Sequence, residues 1–400
     1  MPTRLSQRVQ QLQPSATVRL GTLAKQMQAQ GLDVISFALG EPDFATPEHI
    51  CEAARQALAE GKTKYTPAAG IPELREAIAA GVNRDYGADV SADQVVVSNG
   101  GKHALMNAWQ CILEPGDEVI ILAPYWVSYP AQVELCSAVP RVALSSAAGN
   151  FQPDLDEVRS LVSDKTAALL INSPSNPSGA VLDPDIIRGL AEIAVEADCW
   201  IVTDEIYRHL LYDGREHFSP FMLGDEVRER TILVDGASKS YSMTGWRMGW
   251  LVAPEPIAKA AGRLQGQETS GANSIAQWAT LAALTGPQDC VAQMREEFQQ
   301  RRDYIVPALA EIEGVNISNP GGAFYAFPDI SAFLDGRLQH KGEPIKDDVA
   351  LTTYLLEEAL ISTVPGSAFG LPGYIRLSFA TSMDRIQEGV RRLRQALLGQ

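Results

Sequence analysis

Seven short runs rich in Val, Ile and Leu recur in the middle of the chain, at 94–98, 118–122, 140–144, 167–171, 200–203, 231–234 and 249–253. Most are continuous rather than alternating, the pattern of strands whose two faces are both covered. Helical patterns at 47–60, 72–86, 102–113 and 184–197 lie before and between them. Such a chain is committed to an α/β fold with a mainly parallel sheet flanked by helices. Ligands of open α/β sheets sit at the carboxyl ends of the strands. Polar residues just beyond these runs are therefore the first candidates for function.

After Gly286-Pro287 the pattern changes. A long charged helix is expected at 291–312, short strands at 315–318 and 323–327, and a polar loop at 336–343. A helix at 347–360, strands at 361–364 and 374–378 and a terminal helix from Asp384 complete an α+β unit. A further strand at 34–39 stands outside the main alternation. The expected organisation is a large ligand-binding domain over 47–286, a small C-terminal domain over 287–400, and an N-terminal segment, 1–46, that joins the small domain.

Composition narrows the function. The 400 residues hold 33 Lys plus Arg against 49 Asp plus Glu, a formal charge of −16. Non-specific nucleic-acid binding needs the opposite balance. The longest apolar runs fall far short of the ~20 residues that span a bilayer. Five cysteines, an odd number, include no CxxC pair. They read as reduced core residues, which points to the cytoplasm. Gly61-Lys62-Thr63 lacks the earlier glycine of a P-loop, no HExxH occurs, and Gly236-Ala237-Ser238-Lys239-Ser240 lacks the closing glycine of a nucleophile elbow. No metal site is expected, and His209 and His217 read as solvated loop residues.

The chemistry-bearing residues follow the runs. Lys239 and Arg247 lie in a segment rich in glycine and serine between two strands, with almost no neighbouring charge. A half-buried lysine can act as an imine-forming nucleophile, and an arginine beside it suits a phosphate. Asp204 ends a buried strand, where an aspartate serves either as an N-cap or as the partner of a cationic heterocycle. Asn176 lies in a Pro- and Gly-bearing segment after another strand. Asn99-Gly100-Gly101-Lys102 opens a helix whose free N–H groups can cradle a phosphate. A lysine that forms an imine, an acid for a ring nitrogen and a phosphate site are the requirements of pyridoxal phosphate.

Twelve stretches carry a wider resemblance. They include RVQQLQPSATV (8–18), GEPDF (40–44), GKTKYTPAAGIPELREAI (61–78), PGDEVIILAPYWVSYP (115–130), NSPSNPSGAV (172–181), DEIYRHLLY (204–212), SKSYSMTGWRMGW (238–250), GGAFYAF (321–327) and IRLSFATS (375–382). With them the chain resembles the fold-type I, class I/II pyridoxal-phosphate aminotransferases over nearly its whole length. Within that family it is most like the bacterial aspartate aminotransferases, a group that includes enzymes acting on prephenate as well. Because the stretches begin at residue 8, the acid-free first 32 residues are not expected to be a targeting segment.

The resemblance implies a seven-stranded large-domain sheet and a homodimer with shared active sites. It also implies a role for each matching residue. Lys239 would bind the cofactor as an imine and then move the substrate proton. Asp204 would pair with the ring nitrogen, and Asn176 and Tyr207 with the ring oxygen. Trp126 would stack on the ring. Backbone amides of Gly101 and Lys102, with Arg247 and a partner-donated Tyr65, would hold the phosphate. Arg376 would clamp the substrate α-carboxylate, with Asn176 and the Gly40 backbone nearby, and Lys102 would meet the distal carboxylate.

Departures are few. Ser175 and Ser178 replace a common asparagine and threonine. Gly236 offers no hydroxyl where some relatives have a phosphate-binding serine, a part that Ser238 can take. Gln13 stands where some dual-specificity relatives carry a basic residue. The resemblance implies transamination between L-aspartate and 2-oxoglutarate. Alternatives on the same fold are a prephenate, aromatic or glutamine-preferring transaminase and a carbon–sulfur lyase, and a non-catalytic binding module lies outside them.

Overall fold

The structure is a computed structural model that describes residues 5–6, 9–10 and 16–399, with backbone alone for 16–19. A short strand β1 (Ile35–Ser36) precedes the main sheet, which consists of β2 (Val95–Ser98), β3 (Glu118–Leu122), β4 (Val139–Ala143), β5 (Thr166–Asn172), β6 (Trp200–Asp204), β7 (Thr231–Gly236) and β8 (Gly249–Val252). Their spatial order is β2-β8-β7-β6-β5-β3-β4. The five strands from β7 to β4 are parallel, whereas β8 runs antiparallel to both β2 and β7. All seven expected runs are strands of this one sheet.

Burial explains the composition of each strand. All four residues of β2, all six of β7 and all four of β8 are buried. The edge strand β4 instead alternates between exposed and half-buried positions until its last residue, as a strand covered on one face must. Helices Gly101–Ile112 and Pro184–Glu196 each turn an apolar stripe to the sheet, the first with Ala104, Leu105, Ala108 and Trp109. Helices Pro72–Tyr86 and Glu255–Glu268 pack over β2.

The antiparallel strand matters for function. Its first residue, Gly249, lies opposite both Ser98 and Gly236, the last residues of β2 and β7. The segment entering β8 therefore arrives at the same sheet edge as the carboxyl ends of its neighbours.

A second body is built from both ends of the chain. β9 (Tyr325–Ala326) is followed by the small hairpin β10 (Gln339–His340) and β11 (Glu343–Pro344), and then by β12 (Ile361–Ser362), β13 (Val364–Pro365) and β14 (Ile375–Ser378). β13, β14 and β9 form an antiparallel sheet with β14 central, and β1 pairs in parallel with β12. Ile35 and Phe37 share one apolar core with Phe298, Phe324, Leu377 and Phe379. Arg385 and Arg392, from the terminal helix Met383–Leu398, both reach Asp33. The long helix Asp289–Ala310 joins the two bodies.

The irregular regions depart from the sequence pattern. The strand expected at 34–39 is hydrogen-bonded over only two residues, and the one at 315–318 is a single bridge between Asn316 and Asp329. The polar loop at 336–343 contains β10 and the start of β11. Helix Ala16–Ala29 has no counterpart in the expected elements. Of the five free cysteines, Cys199 alone is buried and the others are half-buried.

Gly249 tests the junction where β8 meets the Gly101 helix. A Cβ there would fall on the backbone of Gly100 and Gly101, and backbone cannot rotate away as a side chain can. Gly249→Ala is expected to cost about 1–3 kcal/mol, the usual range for overpacking. The loss is measurable as a lower denaturation midpoint. Gly149→Ala, at a glycine with nothing within 4 Å of the added carbon, should leave the midpoint unchanged.

Candidate active site

Four strand ends and the entry to β8 converge on one cleft of about 490 Å³. β2 leads into Gly100-Gly101-Lys102, β5 ends at Asn172 and runs on to Asn176, β6 ends at Asp204, and β7 leads to Lys239. The turn before β8 brings Arg247. From the second body come Gly40, Tyr325 and Arg376. Ten of the eleven residues singled out in the sequence line this cleft: Gly40, Gly101, Lys102, Trp126, Asn176, Asp204, Tyr207, Lys239, Arg247 and Arg376. Tyr65 does not. It is 94% exposed and lies outside the cleft of its own chain.

Asp204 is buried at the floor. Its Oδ2 accepts from the Tyr129 hydroxyl at 2.8 Å, and its Oδ1 accepts from the Ile206 N–H at 3.2 Å. Burial nevertheless pushes its carboxyl up to about 6, with Asp235 and Glu205 adding repulsion. A carboxylate in this position gains most from a cationic N–H donor.

Lys239 donates to the Gly40 carbonyl at 2.5 Å. Loss of solvent, with Arg376 and Arg247 nearby, lowers its ammonium to about 8. The amine is therefore neutral in about a tenth of the molecules at pH 7, far more than for an ordinary lysine, which suits a nucleophile.

Arg376 lies in β14, the central strand of its sheet, and is 2% exposed. An arginine at a solvated edge is thereby excluded. Its Nη1 donates to Asn176 Oδ1 at 2.8 Å and its Nη2 to the Ala38 carbonyl at 2.6 Å, while the buried Nε has no partner. Asn176 is set in turn by Asn172, whose Oδ1 accepts the Asn176 N–H at 3.0 Å and whose amide donates to the Asp204 carbonyl at 2.9 Å. The Tyr207 and Tyr325 hydroxyls meet at 2.7 Å.

An anion site faces this group. Gly100 has φ +87°, and a Cβ on it would collide with the Arg247 guanidinium. Glycine thus lets the arginine lie against the helix start at Gly101, where free N–H groups already favour negative charge. Arg247 itself has φ 56° and donates to the Thr244 carbonyl at 2.8 Å. A Cβ at Gly236 would meet the Met248 carbonyl, so no serine fits there, while Ser238 lines the cleft. The Lys102 Nζ lies 4.7 Å from the centre of the Trp126 ring. Desolvation, with Arg247 nearby, lowers the Lys102 ammonium.

Among the lining residues that escaped individual notice in the sequence, Asn172, Tyr129 and Tyr325 make side-chain hydrogen bonds within the site. Each sits inside a stretch already quoted for the resemblance, but no charge or spacing marks it. Gln13 lies outside the described residues. His209 and His217 are half-buried rather than loop residues in free solvent. His217 contacts Glu205 at 2.6 Å, and burial beside Arg208 holds His209 well below the usual histidine range.

Comparison with known proteins bears on the family and the fold. The profile of the family Aminotransferase class I and II matches residues 32–393. A "Probable aspartate/prephenate aminotransferase" of Aquifex aeolicus is 44% identical over 98% of both chains. The "Aspartate/prephenate aminotransferase" of Thermus thermophilus is likewise 44% identical over 98% of both. The solved structure of the Thermus thermophilus aspartate aminotransferase with maleate superposes with a TM-score of 0.92 at 43% identity, covering 99% of this chain and 100% of that one.

The lowered lysine is directly measurable. In protein prepared without ligand, acylation of Lys239 by an amine reagent should follow a titration with midpoint near pH 8, read by peptide mass spectrometry. Surface lysines should titrate about two units higher. A Lys239 that acylates in step with them would show that the cleft does not desolvate it.

Proposed function

The chain belongs to the class I and II aminotransferases, and we propose that it moves an amino group between L-aspartate and 2-oxoglutarate, giving oxaloacetate and L-glutamate by a ping-pong reaction. Pyridoxal 5′-phosphate is its cofactor. The observation that carries the reading is the meeting of Lys239, Asp204 and Arg376 in one cleft, Asp204 and Arg376 buried and Lys239 half-buried, with no ion partner for any of them among the described residues.

The residues fit that cofactor. Asp204 has only neutral donors and suits a pyridinium N–H. The glycine-lined helix start with Arg247 suits a phosphate dianion. The orphaned Arg376 Nε suits a carboxylate. When bound, the cofactor supplies an aldehyde that captures the substrate amine and a ring that accepts the electron pair left on Cα. Lys239 would be the base that moves the substrate proton. Asp204 would hold the ring nitrogen in its protonated form, Asn176 and Tyr207 would hydrogen-bond the ring oxygen, and Trp126 would pack on the ring. Backbone amides of Gly101 and Lys102, the Arg247 guanidinium and Ser238 hold the phosphate. Arg376 orients the α-carboxylate beside Gly40.

Homodimerisation completes this reading, with Tyr65 of the partner subunit closing the phosphate site. The exposure of that tyrosine supports it. Free thiols support a cytoplasmic location. The shared core of the two chain ends supports a small domain built from 1–46 and 287–400 beside a large one over 47–286. No helix among the described residues is long and apolar enough to cross a membrane. Prephenate transamination is the second reading, favoured by the names of two relatives.

A visible absorption band on adding pyridoxal phosphate, shifting when L-aspartate is added, tests the central claim. Borohydride should then fix the cofactor to Lys239, and Lys239→Ala should fold yet transaminate at no measurable rate. A label on another lysine, or a turning-over Lys239→Ala, would remove Lys239 from its role.

Distal-carboxylate recognition makes a separate prediction. Lys102 holds its ammonium over Trp126 at the mouth of the cleft. Lys102→Ser should lower kcat/KM for aspartate and glutamate by about 10–100-fold, the worth of a charge-assisted hydrogen bond, and for phenylalanine far less. Equal losses for all three amino acids would assign Lys102 to the cofactor alone. In the same assays, prephenate should react weakly or not at all, and Gln13→Lys should raise that rate.

A further inference from the structure

Tyr325 has no part in the roles above, yet it touches three of the residues that carry them. It is 1% exposed and lies opposite Ser378 in the β9–β14 pair. Arg376 stands two residues before Ser378, so Tyr325 and Arg376 are diagonal neighbours on one face of that pair. The Arg376 guanidinium carbon consequently sits 4.5 Å from the centre of the Tyr325 ring. At the far end of the phenol, the hydroxyl is 2.7 Å from that of Tyr207. The same hydroxyl fills the space in which a side chain at Gly40 would begin, and the Gly40 carbonyl receives the Lys239 ammonium.

We propose that Tyr325 is a positioning residue that couples occupancy of the carboxylate clamp at Arg376 to the hydrogen bond Tyr207 gives the cofactor. Tyr207 has one hydroxyl proton. To direct it at the cofactor, it must accept from Tyr325, which fixes Tyr325 as the donor. A cation over an aromatic face draws on the electrons of the ring, which makes the phenol a stronger donor. A carboxylate arriving at Arg376 neutralises that cation and weakens the donor. Both phenols are buried, so water does not screen the change. Tyr207 then stabilises the ring oxygen less, and the imine nitrogen at Lys239 holds its proton more firmly. The competing explanation is that Tyr325 only fills the core beside Phe324, with its ring 4.9 Å away. Phenylalanine would serve that purpose equally well, and the experiment turns on this difference.

The inference rests on the pyridoxal-phosphate reading of the cleft, so the wild-type holoenzyme is measured first. Absence of a visible band there overturns that reading and this inference with it. With the band present, its pH titration is followed with and without saturating succinate, a dicarboxylate that has no amino group to transfer. The wild-type midpoint should rise when succinate is added. Tyr325→Phe keeps the ring beneath Arg376 and removes only the hydroxyl. Its midpoint without succinate should lie higher than wild type by about half a pH unit or more. The succinate-induced movement should fall to about half or less, while the succinate Kd stays within about threefold. Tyr325→Leu, which removes the ring as well, should weaken succinate about 5- to 30-fold. A Tyr325→Phe holoenzyme that titrates like wild type in both conditions overturns the inference while leaving the cofactor reading intact. Wild-type succinate affinity in Tyr325→Leu overturns it also.

Discussion

Two buried charges of opposite sign, Asp204 on the large sheet and Arg376 on the small one, set the terms for the rest of the structure. Among the described residues neither has an ion partner. Asp204 receives two neutral donors, and Arg376 gives two hydrogen bonds to neutral acceptors with its Nε unpaired. Burying a charge in this way is costly unless a ligand completes it. The fold therefore stores at one sheet edge an unmet demand for a cation and, on the facing wall, one for an anion. A ligand with a protonated ring at one end and a substrate carboxylate at the other meets both.

Holding such groups in place requires rigid support, which comes from a second buried network just behind the first. Glu205, the neighbour of Asp204, accepts from Tyr86, Thr203 and Ser219 and contacts His217. Burial alone would raise its carboxyl, yet His217 and these hydroxyls hold it low. Arg208 binds Asp235 at 2.7 Å and Asp85 at 2.9 Å. Asp235 in turn accepts the Gly236 N–H, at the end of the strand that leads to Lys239. The two strand ends that deliver Asp204 and Lys239 are thus pinned by residues that do not face the cleft. A fully satisfied buried network of this kind rigidifies what it holds.

The sequence made the sheet legible because burial on both faces demands unbroken apolar runs, and that demand is local. It made Lys239, Asp204 and Arg376 legible because a charge beside an apolar run contradicts its surroundings. Tyr129, Asn172 and Tyr325 offered no such contradiction. A tyrosine or asparagine fits a strand end or a core equally well, and its role depends on a partner far along the chain. The same holds for His209 and His217, which a loop-like segment marks as solvated although tertiary contacts half-bury them. The short strands of the second body were blurred because two-residue pairings are set by long-range register rather than by propensity. The reversal of β8 was hidden for a related reason, since apolar composition carries no direction.

Net charge and site charge point in opposite directions, and the contrast is functional. The chain carries −16 overall, yet the cleft gathers Lys102, Lys239, Arg247 and Arg376 against Glu41 and Asp204. An acidic exterior repels small anions in general. A concave cationic patch with low-dielectric walls concentrates the field that attracts them to one place. Dicarboxylic substrates and a phosphate-bearing cofactor are all anions, so the same patch serves both halves of the reaction. Within it the cations differ in burial: Arg376 is buried and Lys239 half-buried, while Lys102 and Arg247 are exposed at the rim. Salt screens exposed charges far more than buried ones. Encounter, governed by the rim, is therefore the salt-sensitive stage. Orientation at Arg376, set by direct hydrogen bonds to a buried guanidinium, is not.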